Sequence, residues 1–425
     1  MPTSCPELMM KYHAWKDAVA TLRQTADTLM HEGTPDAHEA VRTAQQNTTH
    51  LQQEYLTYAY EPVTFEEHAL PRIEAEAGTR IRGLVGKDVK FQFEHEHISW
   101  IGFSTIQPTP ELNKALAMTA VLKKCGLYLD NLTSAEGLIL PHTIGGSLYL
   151  EKLTSAEGLT LPHSIGGNLY LNNLTSAEGL ILPHAIDGGL NLDNLTSAEG
   201  LILPHSIGGF LNLDNLTSVE GLILPHSIGG GLYLDNLTSA EGLTLPHSIG
   251  GDLYLNRLTS AEGLILPHTI GGLYLNNLTS VEGLILPHSI GGFLDLGSLT
   301  SAEGLTLPHS IGGSLYLDRL TSVEGLILPH SIGGYLNLWN LTSAEGLILP
   351  HTIGGGLDLR GLTSTEGLIL PHSIGGSLDL RGLTSAEGLI LPHSIGGNLN
   401  LENLTSTERD ILRAKYPHIT IKPTP

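Results

Sequence analysis

Cysteine, aromatic side chains and long apolar runs are all scarce in this chain of 425 residues. Two cysteines, Cys5 and Cys125, cannot build a disulfide framework, which points to a reducing compartment. No run approaches the ~18 apolar residues of a membrane helix. The opening MPTSCPELMMKYHAWKD lacks the apolar core of a signal peptide, so a cytoplasmic location is expected. Aromatics make up only 5%, too few for a globular centre, whereas glycine reaches 50 residues. Positive charge is nearly missing from residues 125–408, with 5 Lys+Arg against 26 Asp+Glu. That balance argues against nucleic acid and anionic membranes as partners, and leaves basic partners or plain solubility.

What fills the chain is a repeat. The order L-T-S-x-E-G-L-x-L-P-H-x-I returns from residue 125 to 408, and the histidine after the proline marks it at His142, His163, His184 and onward to His393. There are 13 such histidines at a step of 21 residues, with a single step of 20 between His268 and His288. A fixed period of this size is the signature of a solenoid. Eight copies contain N-L-T, beginning at Asn131, and these read as repeat grammar rather than glycosylation sites.

Each copy has two places with the period of a strand. Leu148 and Leu150 face one way around Tyr149, and Leu159 and Leu161 do the same around Thr160. Both leucine pairs are expected inward, stacked on neighbouring coils. Gly145-Gly146 supplies a turn. Thr133 to Gly137 has the form of a capping box, with Glu136 answering Thr133, which predicts one helical turn per coil.

These residues resemble the leucine-rich-repeat and receptor-L-domain class of right-handed solenoids, over about two thirds of the chain. Leu153 and its equivalents stand where ordinary leucine-rich repeats carry an asparagine ladder, which favours a straighter, two-strand coil. The resemblance implies a binding scaffold. The expected fold is α+β: a right-handed β-solenoid of 21-residue Leu-rich coils, an α-helical N-terminal domain and a short C-terminal capping helix. The expected divisions are a helical hairpin over 1–61, a small α/β segment with a capping helix over 62–124, the solenoid over 125–407 and a closing helix and tail over 408–425.

Before the repeats, apolar stripes at Leu8, Tyr12, Trp15, Val19, Leu22 and at Val41, Ala44, Thr48, Leu51, Tyr55 predict two antiparallel helices, with Gly33, Thr34 and Pro35 at the joint. Residues 66–77 read as a helix, and 89–93 with 98–103 as a hairpin. His95 and His97 share a strand face as metal ligands can, yet a site needs further ligands, and a solvated turn is the default. GLVGKD at 83–88 lacks the spacing of a phosphate loop and reads as a turn. A helix over 111–123 is expected to lid the first coil.

Three ladders invite chemistry. The histidines suggest metal binding or pH sensing, but no Cys or carboxylate recurs beside them in sequence, and repetition by duplication accounts for them. The glutamates have the capping role. Catalytic sites are singular, and no Ser-His-acid grouping follows from residues repeated in every coil. No catalytic, cofactor or metal residue is therefore assigned. Two faces remain. The outward position of the second strand is isoleucine in ten copies, Ile181, Ile202, Ile223, Ile265, Ile285 and Ile327 among them, and threonine at Thr160, Thr244 and Thr306. So long an apolar stripe predicts self-association. The outward face of the first strand varies between copies and carries Tyr149, Tyr170, Phe210, Tyr233, Tyr254, Tyr274, Phe293, Tyr316, Tyr335, Trp339, Arg360 and Arg381, residue types that anchor interfaces. The expected function is a non-enzymatic scaffold that binds a protein or peptide along this variable face. The alternatives are a self-associating rod using the isoleucines, or an enzyme or metal-dependent module in residues 1–124.

Overall fold

The computed structural model describes residues 42–50, 70–85, 89–94, 97–122 and 124–422, with isolated positions between 14 and 24. Most of the two N-terminal stripes, His95, the imidazole of His97 and residues 86–88 lie outside the described residues. The protein is a β-solenoid of about 13 coils, and the chain divides into two compact units, Met1–Leu211 and Asn212–Pro425.

In the first unit, residues 42–50 are helical, and the buried Thr48 hydroxyl donates to the Ala44 and Ala18 carbonyls at 2.8 and 3.3 Å. Helix α1 (Leu70–Val85) lies on a hairpin of β1 (Val89–Glu94) and β2 (His97–Phe103). Strand β2 then pairs in parallel with β3 (Gly126–Tyr128), so the hairpin supplies the first rungs of the coil wall. Helix α2 (Pro110–Met118) starts at Thr109, whose hydroxyl accepts from the Leu112 amide at 3.1 Å, with proline at its first position. It is shorter than the expected 111–123, because a 3-10 turn (Thr119–Val121) closes it. Asn113 docks it on the first coil, donating to the Gly137 carbonyl at 2.7 Å and accepting from the Ile139 amide at 3.0 Å.

One coil shows how all are made. Leu148–Tyr149 forms a strand, and the Leu153 amide closes a turn onto the Leu150 carbonyl at 3.2 Å. The next turn differs from expectation. No helical turn forms at T-S-A-E-G. Ser155, not the threonine, accepts from the Glu157 amide at 3.1 Å, and Leu159 closes onto Ala156 at 3.0 Å. Gly158 sits at φ +73°, the third position of a type II pattern that glycine adopts without steric cost. The equivalent glycine is at positive φ in all thirteen copies.

The second strand is also displaced. Leu159 is buried and Thr160 exposed as expected, but Leu161, expected inward, is only half-buried, and the ladder runs through Ser164–Ile165, just past Pro162. Proline has no N–H for a ladder, so inter-coil pairing resumes at His163, whose amide donates to the His142 carbonyl at 2.8 Å. Ile165 thus joins Leu148, Leu150, Leu153, Ala156 and Leu159 in the core, all at or below 6% exposure. The Gly pair serves close approach rather than left-handed turning: a methyl on Gly166 would lie 2.6 Å from the Gly145 carbonyl oxygen of the previous coil. Coils pair in parallel and in step, Leu148 with Leu169 and Leu169 with Leu190.

The second unit repeats this plan and contains the one irregular step. Strand Leu253–Tyr254 still pairs with Leu273–Tyr274, and that with Leu294–Asp295. The residue missing after Gly271-Gly272 is felt on the other wall: its ladder stops at Ser248–Ile249 and restarts at Ser289–Ile290. Helix α3 (Ser406–Lys415) closes the unit. Its buried Arg409 donates to the carbonyls of Leu401, Glu402 and Leu404 at 3.3, 3.1 and 2.7 Å. Beyond it, Leu399 exchanges backbone bonds with Thr420 and Lys422, both 2.9 Å, which covers the last strand edge.

Candidate interaction surfaces

The variable face is largely occupied with itself. In the first unit Tyr128, Tyr149 and Tyr170 stack with centroids 3.8 and 4.5 Å apart, and Trp100 lies tilted against Tyr128 at 4.7 Å. In the second unit Tyr233, Tyr254 and Tyr274 stack at 4.5 and 4.4 Å, and Phe293 and Tyr316 extend the row. Parallel coils with tyrosine at one register position place the rings face to face, so their edges rather than their faces meet solvent. Burial, with the neighbouring Tyr128, pushes the Tyr149 hydroxyl up to about 12. Trp100, which heads this row, went unnoticed in the sequence because it lies before the first repeat.

Other variable positions are partnered too. Phe210 lies over Gly189 and Tyr335 over Gly356: an added methyl on either glycine would fall 2.3 Å from the ring. Arg360 is bound by Asp358 and lies 5.1 Å over the Trp339 ring, and Arg381 is bound by Asp379 in the same way. Burial raises the Asp379 carboxyl, but hydrogen bonds and charge from Arg381 outweigh it and leave it below its ordinary value. Burial holds Asp295 and Asp318 above theirs. Within this face Tyr335, Trp339 and Phe293 are the more open rings, at 47, 41 and 39% exposure.

The isoleucine column is the opposite case. Ile181 and Ile202 in the first unit, and Ile223, Ile265, Ile285, Ile327, Ile348, Ile369 and Ile390 in the second, are each 75–82% exposed. Alternation explains the placement: leucines on either side point into the coil, so the residue between them must point out. Glu282, Ile285 and Glu303 line one shared depression, and Glu324, Ile327 and Glu345 another, so glutamates and isoleucines occupy a common face. A member not singled out in the sequence is Ile411 on α3, 61% exposed, which shares a depression with Ile390. Its signal was present, since it stands 21 residues after Ile390 and three after Glu408.

The imidazoles form a third column. His142, His163 and His184 stack at 5.3 and 5.7 Å, and His351, His372 and His393 at 5.6 and 5.3 Å. Burial, aided by the charge of His163 and Arg42, lowers the His142 pKa. Among the described residues no three His, Cys, Asp or Glu side chains gather as a metal site would require. No described helix is long and apolar enough to cross a membrane. No protein-family model matches the chain, and no curated protein is similar to it in sequence.

Proposed function

We propose that this chain is a non-enzymatic, cytoplasmic interaction scaffold whose working surface is the isoleucine column, through which it self-associates. The observation that carries this reading is the row of seven isoleucines in the second unit, each at least three quarters exposed. Soluble monomers rarely present so regular an apolar strip. Burying one such side chain is worth about 1.5–3 kcal/mol. A row of them therefore meets the roughly 4–15 kcal/mol that association costs in lost freedom.

A second reading keeps the partner on the variable face, where a protein or peptide would meet Phe293, Tyr335 and Trp339, the rings that stay open. It ranks lower because most neighbours there are already stacked or ion-paired.

Light scattering separates the two. The parent protein is expected to be a dimer or larger, and a variant with Ile327→Thr, Ile348→Thr, Ile369→Thr and Ile390→Thr a monomer. Threonine already occupies this position at Thr244 and Thr306, so the coil tolerates it. A monomeric parent overturns the reading, as does a variant that remains associated.

A further inference from the structure

We infer that the isoleucine column of residues 212–425 pairs with the same column of a second copy, parallel and in register, about a two-fold axis running along the column. The inference rests on the reading of that column as an association surface, and adds the occupant and its orientation.

The column is more than a by-product of repetition. At the last copy the motif's Gly and Leu are replaced by Arg409 and Asp410, and the backbone changes from turn to helix. Ile411 nevertheless stands exposed beside Ile390, so the strip continues onto α3 after the coil has ended. Ten successive positions from Ile223 to Ile411 carry eight isoleucines and two threonines. Together with the glutamate and histidine columns beside them they amount to about thirty side chains, the number a stable interface uses on each side.

Spacing selects the occupant. Coils follow one another at ~4.8 Å, the distance between hydrogen-bonded strands. A helix laid along the column repeats every ~5.4 Å, and over nine steps it slips by roughly 5 Å, a whole rung. A second copy of the solenoid has the same repeat and stays in step along the full length.

Charge order selects the orientation. In every coil the chain runs Glu, then Ile or Thr, then His, so the isoleucine column is bordered by carboxylates on one side and imidazoles on the other. Glu324, Ile327 and His330 are all exposed in this order. When two such faces are opposed with their solenoid axes antiparallel, glutamates meet glutamates and histidines meet histidines. Rotation about an axis along the column instead sets each glutamate row across from the partner's histidine row. Opposite or hydrogen-bonding rows are favoured over like charges, which repel when brought together. The matching partner needs a donor row and an acidic row around an apolar one, and a second copy carries both.

Distance measurements between spin labels test this on the full chain with Cys5→Ser and Cys125→Ala. Labels are placed singly at Ile223→Cys and at Ile390→Cys, with light scattering on each sample. Parallel pairing predicts a short label-to-label distance in both samples, near the ~10 Å that separates stacked sheet faces. An antiparallel dimer gives roughly 38 Å in each, eight coil steps of ~4.8 Å. That outcome overturns the orientation while sparing the association surface. A monomer, or a dimer that survives the four Ile→Thr changes, overturns both.

Discussion

Thr-Ser-x-Glu occurs thirteen times as a turn and, at residues 405–408, once more as the start of a helix. In the copy at Thr384, Ser385 accepts from the Glu387 amide at 3.1 Å, and Gly388 at φ +74° folds the chain back. In the copy at Thr405, the threonine hydroxyl accepts from the Glu408 amide at 3.3 Å, and the Glu408 carboxylate accepts from the Thr405 amide at 3.0 Å. The copies part after the glutamate: Gly388, Leu389 and Pro392 stand where the last copy has Arg409, Asp410 and Arg413. Glycine enters the left-handed region freely, whereas arginine there costs about 1–2 kcal/mol, and Arg409 finds three carbonyls by continuing as a helix. A capping-box pattern is therefore a statement about the residue after it as much as about its own four positions.

The comparison can be broken from the helix side. Arg409→Gly removes charged hydrogen bonds worth about 1.5–3 kcal/mol each and restores the turn residue. Loss of α3 and a destabilisation of about 3 kcal/mol or more are expected, read as faster hydrogen exchange at the Leu399 and Leu404 amides. On the turn side, two glycines with the same backbone separate strain from crowding. At Gly304 an added methyl meets only ordinary contact, 3.7 Å from Val281, whereas at Gly367 it lies 2.8 Å from the Glu345 backbone. Gly304→Ala is expected to cost about 1–2 kcal/mol in chemical denaturation, and Gly367→Ala more.

The smallest effect lies in the cap itself. Thr405→Ala is expected to cost about 1 kcal/mol. Hydrogen bonds from Thr405 and from the Ala386 and Thr405 amides hold the Glu408 carboxyl below its ordinary value. A depressed carboxyl stabilises the fold fully above its unfolded pKa, and the effect is lost as pH falls through the folded value. Glu408→Gln is expected to flatten the acid limb of the stability profile below about pH 4.5. An unchanged limb would remove Glu408 from the cap's pH response.

The two outer faces show how far a candidate site could be read in advance. Alternation alone placed Ile327 outside, because that depends only on the strand period, although the flanking Leu326 and Leu328 are half-buried rather than enclosed. The state of the variable face depends on what the next coil offers. Tyr254 has tyrosines before and after it at 4.5 and 4.4 Å, and Tyr335 has a glycine to lie on. Nothing within one copy records that neighbour. The displaced second ladder has a similar origin, since Leu159 to Leu161 has the strand pattern while Pro162 withholds the donor that pairing needs.

The sequence by itself determined the period, the buried leucines and the outward isoleucines, since each follows from a repeat length or a two-residue alternation within a single copy. Only the tertiary structure decided that tyrosine faces are spent on one another and that the isoleucine strip runs on to Ile411. The physical reason is common to both. Each depends on contact between residues about 21 positions apart, and such contacts exist only once one coil has been laid upon the last.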